Sequence, residues 1–283
     1  MSGAVDEGGG GAAVGRVAAA DEAGAAPSRP PPAGSVDGRL GRDRLVLGVQ
    51  RAVGRLLAPV WVPLLVVLMR YRMGWGIQGA EVVRREYRDL VAAGGPILVC
   101  ANHLTLVDSA LAAWALGSPA WYLAHYAALP WNVPERRNFT ESIGSRVLVW
   151  LMKCVPVTRG GDRAEVAAVL GRLTHLLVRG ETVLLFPEGG RSRSGRVDEE
   201  SATYGVGRLL GSVPGCRVLC VYVRGERQEG FSDLPARNQR FRARCETVRP
   251  TSGWTGLRGA RDVSQQIVRT LVRLEQQHFD DRQ

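Results

Sequence analysis

From residue 79 onward, short apolar runs alternate with segments of helical periodicity, and this alternation limits the fold more than any other feature of the chain. Buried strands are expected at six apolar runs, near 96–101, 120–124, 155–158, 182–187, 217–223 and 240–248. Helices are expected near 81–92, 106–116, 141–153, 162–178, 201–211 and 261–278. The pattern predicts an α/β fold, in which a layered domain has a central mixed sheet flanked by helices.

The charge of the chain narrows the range of its partners. The 283 residues carry a formal net charge of +10, which favours an anionic partner such as a membrane surface or an acidic small molecule. Lys153 is the only lysine, so the excess is almost entirely arginine and reflects a bias along the whole chain. No basic run is interleaved with aromatic residues, and no zinc-finger or RNA-binding motif occurs, so no nucleic acid is expected as a partner.

The five cysteines indicate neither a disulfide framework nor a metal site. Their number is odd, no Cys-x2-Cys pair occurs, and Cys216 and Cys220 have no nearby histidine to complete a zinc site. We therefore expect buried free thiols in a reducing compartment, with no metal and no cofactor.

The chain before residue 76 divides into two parts, and an α/β domain is expected over 76–283. Residues 1–38 are rich in Gly, Ala and Pro, which predicts a disordered tail, and they lack the basic start and apolar stretch of a secretory signal. In residues 39–75, apolar positions recur at helical spacing with arginines between them.

The uncharged stretch 56–69 lies within this second part and contains Pro59 and Pro63. Its 14 residues fall short of the roughly 20 that a spanning helix needs, and two prolines bend a helix. We expect an amphipathic, membrane-associated segment at the interface, formed by one helix or a helical hairpin. A helix packed only on the protein's own core is the alternative, and a tilted span that includes Arg51 and Arg55 is less favoured.

Two short segments at predicted strand ends carry most of the chemical information. Residues 102–108 read Asn-His-Leu-Thr-Leu-Val-Asp, and residues 186–192 read Phe-Pro-Glu-Gly-Gly-Arg-Ser. Reactive groups on loops at strand ends are usual in α/β enzymes. A His with an Asp within reach is a general base with an orienting partner. A Gly-Gly-Arg sequence offers peptide N–H groups and a guanidinium to a phosphate.

His103 and Asp108 stand five residues apart, a spacing that leaves two side chains roughly 140° apart on an ideal helix. They can meet only if His103 lies in the turn before the helix. A capping box with Thr105 at the N-cap and Asp108 at the third helical position would provide that arrangement.

Together the two segments resemble the glycerolipid acyltransferases related to 1-acyl-glycerol-3-phosphate acyltransferase. The Asn-His-x4-Asp block of that family is matched by Asn102, His103 and Asp108, and its Phe-Pro-Glu-Gly-x-Arg-Ser block by residues 186–192. The run that ends in Arg159 is similar to the second block, although Thr158 replaces an acidic or amide residue. The resemblance covers roughly residues 75–250.

Two further positions depart from the family pattern. The best candidate for the fourth block is the strand-like run 221–223, which lacks the usual proline. His125 stands near the place where family members often carry a lysine. Both departures concern the acceptor more than the type of reaction.

The resemblance implies an O-acyltransferase that moves a fatty acyl group from acyl-CoA or an acyl carrier protein to a hydroxyl of a lysophosphatidate-like glycerolipid, in phospholipid biosynthesis. His103 would be the base, and Asp108 would hold its tautomer. The acceptor phosphate would be bound by residues of the second and third blocks: Arg159, Glu188, Gly189, Gly190 and Arg191. The protein would be peripheral or monotopic, at the cytoplasmic face of the membrane, where its lipid acceptor lies.

Alternatives remain open on the residues alone. The acceptor can be another lysolipid, a glycolipid or an amino-acid lipid. A hydrolase would use His103 to activate water on a thioester or phosphoester. A silent lipid-binding protein is disfavoured because His103 and Asp108 are both present. Glu188 would organise the phosphate loop, contact an acceptor hydroxyl, or only cap the turn after its strand.

Overall fold

The computed structural model describes residues 33–136, 142–158 and 161–281, with side chains described from residue 41 onward. Most of the expected tail, residues 1–32, lies outside the described residues, and the first helix begins at Ala33. Arg159 also lies outside them, so its expected role is not addressed by the geometry below.

The described residues contain six strands in one mixed sheet, which confirms the predicted fold class, although the strands at 76–78 and 131–132 lie outside the predicted runs. They are β1 (Gly76–Gln78), β2 (Ile97–Ala101), β3 (Trp131–Asn132), β4 (Thr182–Leu185), β5 (Arg217–Gly225) and β6 (Arg240–Val248). Their order is β1-β6-β5-β2-β4-β3, and neighbours run parallel except for β5 and β6. Ile97 aligns with both Thr182 and Arg217, so β2, β4 and β5 point their carboxyl ends to one edge, here called the carboxyl edge.

Helices cover both faces of this sheet. Those described are α1 (Ala33–Val67), α2 (Ala80–Ala92), α3 (Asp108–Leu116), α4 (Pro119–Ala124), α5 (Ile143–Leu151), α6 (Arg163–Val178), α7 (Tyr204–Gly211) and α8 (Gly256–Asp280). Strand β2 is buried along its whole length, as expected of a central parallel strand. Its Ile97 and Val99 join the apolar core under α1, α2 and α3, while Leu98 and Cys100 join the core under α6, α7 and α8.

Two predicted strands are not formed as expected. The strand near 120–124 is wrong, because these residues belong to helix α4, where the Ser118 side chain accepts the Trp121 N–H and Pro119 occupies the first turn. A serine cap followed by proline favours a helix start over a strand. The run near 155–158 belongs to none of the six strands, and its one isolated bridge in the described residues joins Val157 to Glu135.

The N-terminal segment is one continuous helix rather than a hairpin. Helix α1 passes through Pro59 and Pro63 and continues into a π-helical turn, Leu68–Arg72. Within the described part of the chain, Gly41–Arg72 is the one helix that is long and apolar enough to cross a membrane.

Helix α1 and the π-helical turn that follows it have two apolar faces, of which one is buried and the other is exposed. Ala58, Val62 and Met69 are buried and belong to the core under α2 and α3. On the opposite side, a row of apolar side chains is exposed, and Leu56 exposes 77% of its surface. This exposed stripe comprises Leu45, Val49, Leu56, Val60, Leu64, Val67 and Tyr71. The helix is therefore partly packed on the protein's own core and partly available to an apolar environment.

Two contacts fix the stretch from Arg51 to Trp75 at opposite edges of the sheet. At the middle of α1, the Arg51 guanidinium donates to Glu181, which directly precedes β4 at the amino edge. Just after its end, the Trp75 indole donates to the Ala236 carbonyl at 2.9 Å, close to the start of β6. Because β6 runs antiparallel to β5, that contact lies at the carboxyl edge. Residues 51–75 thus run along the domain from one edge to the other.

Candidate active site

The two segments singled out by the sequence meet at the carboxyl edge. His103 follows β2 by two residues and Glu188 follows β4 by three, and the parallel pairing of these strands brings the two loops side by side. Asn102 ties the first loop to the neighbouring strand: its side chain accepts the Val223 N–H at 2.8 Å and donates to the Val223 carbonyl at 3.1 Å. Val223 belongs to the run 221–223, the expected fourth block.

His103 and Asp108 are in direct contact, as the sequence predicts. The His103 Nδ1 lies 3.0 Å from the Asp108 Oδ2, and the two side chains are 13% and 10% exposed. Because an ionised carboxylate only accepts hydrogen bonds, Nδ1 carries the proton and Nε2 keeps its lone pair. Within the described residues Nε2 has no hydrogen-bond partner, so it is the ring nitrogen available to a substrate.

The turn that brings them together differs from the expected capping box. Helix α3 begins at Asp108 itself, with Val107 at the N-cap, so the assignment of Thr105 as N-cap is wrong. The Asp108 carboxylate accepts the backbone N–H groups of Leu104 and Thr105 and the Thr105 hydroxyl. The carboxylate therefore organises the whole turn that carries His103.

The second loop holds His103 from the other side. The Phe186 ring stacks on the imidazole, with centroids 4.0 Å apart and planes 12° apart. The Glu188 carboxylate accepts the His103 backbone N–H at 3.2 Å, and the Ser192 N–H donates to the His103 carbonyl at 2.8 Å. Ring and backbone are both fixed, which is the preorganisation that a catalytic base requires.

Glu188 is buried, and burial raises the pKa of its carboxyl from the ordinary 4.5 to about 7. Hydrogen bonds from the backbone of His103 and Asp198 oppose this rise, while the negative charges of Glu275 and Asp108 add to it. A carboxyl with such a pKa changes its charge near neutral pH, in contact with the candidate base.

The Gly-Gly-Arg turn has a conformation that needs glycine. Gly189 has φ of +68°, and a Cβ there would lie 2.3 Å from the Thr203 Cγ2. Thr203 in turn fixes the loop, because its N–H and hydroxyl both donate to the Pro187 carbonyl, at 3.0 and 3.1 Å. The backbone N–H groups of Gly190 and Arg191 have no acceptor within the described residues, so they are available to a ligand.

Arg191 already has an anionic partner. Its Nη1 donates to the Asp233 Oδ1 at 2.6 Å and to the Ser232 carbonyl at 3.2 Å. The same segment of chain packs on the first loop, where the Leu106 N–H donates to the Asp233 carbonyl at 3.1 Å. Since the Asp233 side chain is 75% exposed, a phosphate in water can compete with it for the guanidinium. This contact is not predictable from the sequence, because 42 residues separate Arg191 from Asp233.

Arg224 and Glu275, a pair of charged residues not predicted from the sequence, support the loop that follows β4. Arg224, at the end of β5, is buried and donates to the carbonyls of Gly195 and Gln228. Glu275 of α8 accepts the Val197 N–H and the Tyr222 hydroxyl, and it lies 3.7 Å from Arg224. In the sequence, the only sign of this role is that Glu275 lies on the apolar face of the helix predicted near 261–278.

Other expected residues are placed elsewhere. His125 stacks on Trp121 and is exposed, and its Nδ1 lies 3.1 Å from the Trp121 carbonyl. The five cysteines are free, and burial raises the pKa of the Cys154 thiol to about 12, which keeps it protonated. Among the described residues no cluster of His, Cys, Asp and Glu is able to hold a metal ion.

Comparison with known proteins agrees with this geometry. A family model described as Acyltransferase matches residues 77–224, just over half of the chain. The matched stretch starts in β1, ends in β5 and includes both loops of the candidate site. No curated protein matches the chain.

Proposed function

The chain belongs to the acyltransferase family, and on this premise we propose that it moves a fatty acyl group from acyl-CoA or an acyl carrier protein to a hydroxyl of a lysophosphatidate-like glycerolipid. The observation that carries the proposal is the contact of 3.0 Å between His103 and Asp108, at a sheet edge where peptide N–H groups and Arg191 are close by. In this proposal residues 76–283 carry the chemistry and residues 39–75 associate with the membrane.

The chemical step follows from the free Nε2 of His103. This nitrogen takes the proton of the acceptor hydroxyl as the oxygen attacks the thioester carbonyl carbon. The tetrahedral intermediate collapses, the carbon–sulfur bond breaks, and an ester remains. The imidazolium then returns the proton to the departing thiolate. Asp108 stabilises the imidazolium and keeps Nδ1 protonated throughout, the role of the carboxylate in Ser-His-Asp enzymes.

The acceptor phosphate would be bound next to this base. The free N–H groups of Gly190 and Arg191 and the Arg191 guanidinium offer charge-assisted hydrogen bonds to it. Gly189 shapes the turn that presents them, and Glu188 ties that turn to His103. Arg159 remains a proposed contributor from the second block.

One observation favours a second candidate acceptor. Because Asp233 is paired with Arg191, a phosphate meets a competing carboxylate at this guanidinium. A lysolipid, glycolipid or amino-acid lipid with a free hydroxyl and no terminal phosphate would meet no such competition. Such an acceptor would use the same base and the same donor.

The membrane proposal rests on the exposed stripe of α1. The helix is packed along the domain by one face, so the stripe would lie in the plane of the interface rather than span it. We propose that the protein is monotopic on the cytoplasmic face, where acyl donors and lysolipids both have access.

The proposal is tested with purified protein, several acyl donors and a set of lysolipid acceptors, with the products identified by mass spectrometry. Ester formation that requires both a thioester and a lysophosphatidate supports the proposal, and products from phosphate-free acceptors support the second candidate. Thiol release at the same rate without any acceptor would instead identify a hydrolase. His103→Ala protein serves as the control for background chemistry.

A further inference from the structure

A basic cavity of about 410 Å³ lies between α1 and α6, apart from the candidate active site. Arg44 and Arg51 of α1 line one side, and His175 and Arg179 line the other. Glu181, which precedes β4, closes it at the amino edge of the sheet. The cavity and His103 therefore belong to opposite edges.

The positive charge of this cavity is not balanced by its own carboxylate. Glu181 is the one acidic residue among the described residues of the lining, and it is already shared. Its Oε1 accepts the Arg51 guanidinium, and its Oε2 accepts the buried Lys153 ammonium at 2.6 Å. Within the described residues, Arg44 and Arg179 take part in no ion pair, so two guanidinium charges face the cavity uncompensated.

We propose that this cavity binds a phosphate group, and that the headgroup of an anionic lipid supplies it. Guanidinium and imidazole groups are the donors that suit a phosphate, and the volume is that of a small-molecule site.

The place of the cavity on α1 is the reason for choosing a lipid. Leu45 and Val49 of the same turns of the helix are exposed and begin the apolar stripe. Acyl chains that lie against the stripe would hold their phosphate at the level of the flanking arginines, as basic sites beside membrane helices do. Free phosphate in solution offers the arginines the same chemical group, but it has no acyl chain to contact the exposed stripe.

His175 provides a local probe of occupancy. Burial lowers its pKa, and the positive charges of Arg44 and Arg179 lower it further, while Arg51 and Glu181 are the other charged groups that line the cavity. A bound phosphate would offset the two arginine charges and so raise the His175 pKa. The chain has four histidines, so the resonance is assigned by its loss in His175→Gln protein.

The first arm measures binding to phosphatidylcholine vesicles with and without phosphatidylglycerol. The double variant Arg44→Gln, Arg179→Gln should bind the anionic vesicles about 25-fold less tightly, because each basic residue near an anionic surface contributes about fivefold. The matched control Arg208→Gln, Arg249→Gln removes two exposed charges from other elements and should bind like the parent. Arg44→Lys, Arg179→Lys keeps the charge but loses the planar fork, so partial loss is expected.

The second arm titrates the full-length protein with glycerol phosphate in solution and follows the His175 ring by NMR. A raised His175 pKa together with weaker vesicle binding of the glutamine variant supports the proposal in full. A raised pKa with unchanged vesicle binding overturns the lipid source and leaves a site for soluble phosphate. If the lysine variant binds vesicles like the parent and the His175 pKa does not move, diffuse attraction explains the binding and the site is refuted.

Discussion

Replacing Glu188 with glutamine should stabilise the protein above pH 7 and leave its stability near pH 4 almost unchanged. The folded protein raises the pKa of this carboxyl from 4.5 to about 7, so the folded state binds more protons than the unfolded state between these values. Stability that depends on the neutral carboxyl is complete below pH 4.5 and is lost as the pH rises through 7. A rise of this size corresponds to about 3 kcal/mol.

Glutamine has the shape of the neutral carboxyl and retains an oxygen that can accept the His103 N–H, but it does not ionise. The variant should therefore escape this loss, and its melting temperature at pH 8 should exceed that of the parent by about 6–12 °C, from about 2–4 °C per kcal/mol for a domain of this size. Thermal unfolding at pH 4, 5, 6, 7 and 8, followed by circular dichroism, measures the difference. Glu200→Gln removes an exposed carboxylate nearby and is the matched control.

Two parallel stability profiles for Glu188→Gln and the parent would refute the reasoning. A variant that is less stable at pH 8 would refute it more strongly. Such a result would mean that the ionised carboxylate gains more from the N–H groups of His103 and Asp198 than it loses by burial.

Three further predictions concern the two loops. Asp108→Asn should lower kcat and also destabilise the fold by about 1–3 kcal/mol, because the amide cannot accept all the bonds that the carboxylate accepts; unchanged urea unfolding would contradict this. Gly189→Ala should lower the melting temperature through its clash with Thr203 and its positive φ, and adding Thr203→Ser should restore part of the loss; no recovery would show that φ alone matters. Asp233→Asn should lower the acceptor KM for a lysophosphatidate with little change in kcat, whereas an unchanged KM would show that Asp233 does not compete with the phosphate.

The central strands were predictable because their apolar runs are flanked by turn residues. The proximity of His103 and Asp108 was also predictable, although the turn that produces it was not. Spacing limited where the helix could start, but Asp108 proved to be the first residue of the helix rather than the third, and its carboxylate accepts two backbone N–H groups of the preceding turn. The apolar run 120–124 was misassigned because a short run has no periodicity of its own, and the cap at Ser118 decides it.

Contacts between residues that are far apart in the chain could not be predicted from the sequence. Arg191 meets Asp233, and Glu275 meets the loop that follows β4, only because the sheet order brings β5, β2 and β4 together. Nothing in the local pattern around Asp233 distinguishes it from other exposed acidic residues. Sequence therefore predicts which groups perform the chemistry better than it predicts which groups restrain them.

Helix α1 contributes one face to the core of the domain and presents the exposed stripe on the other. Deleting the helix therefore cannot test the membrane proposal. Deleting it would remove Ala58 and Val62 from the core and leave Glu181 without Arg51. The truncated chain would lose its fold, so a loss of sedimentation with vesicles would say nothing about the exposed stripe. Polar substitutions confined to the exposed stripe leave the packed face of α1 unchanged. If these substitutions abolish vesicle binding and leave the melting temperature unchanged, the loss belongs to the stripe and not to the fold.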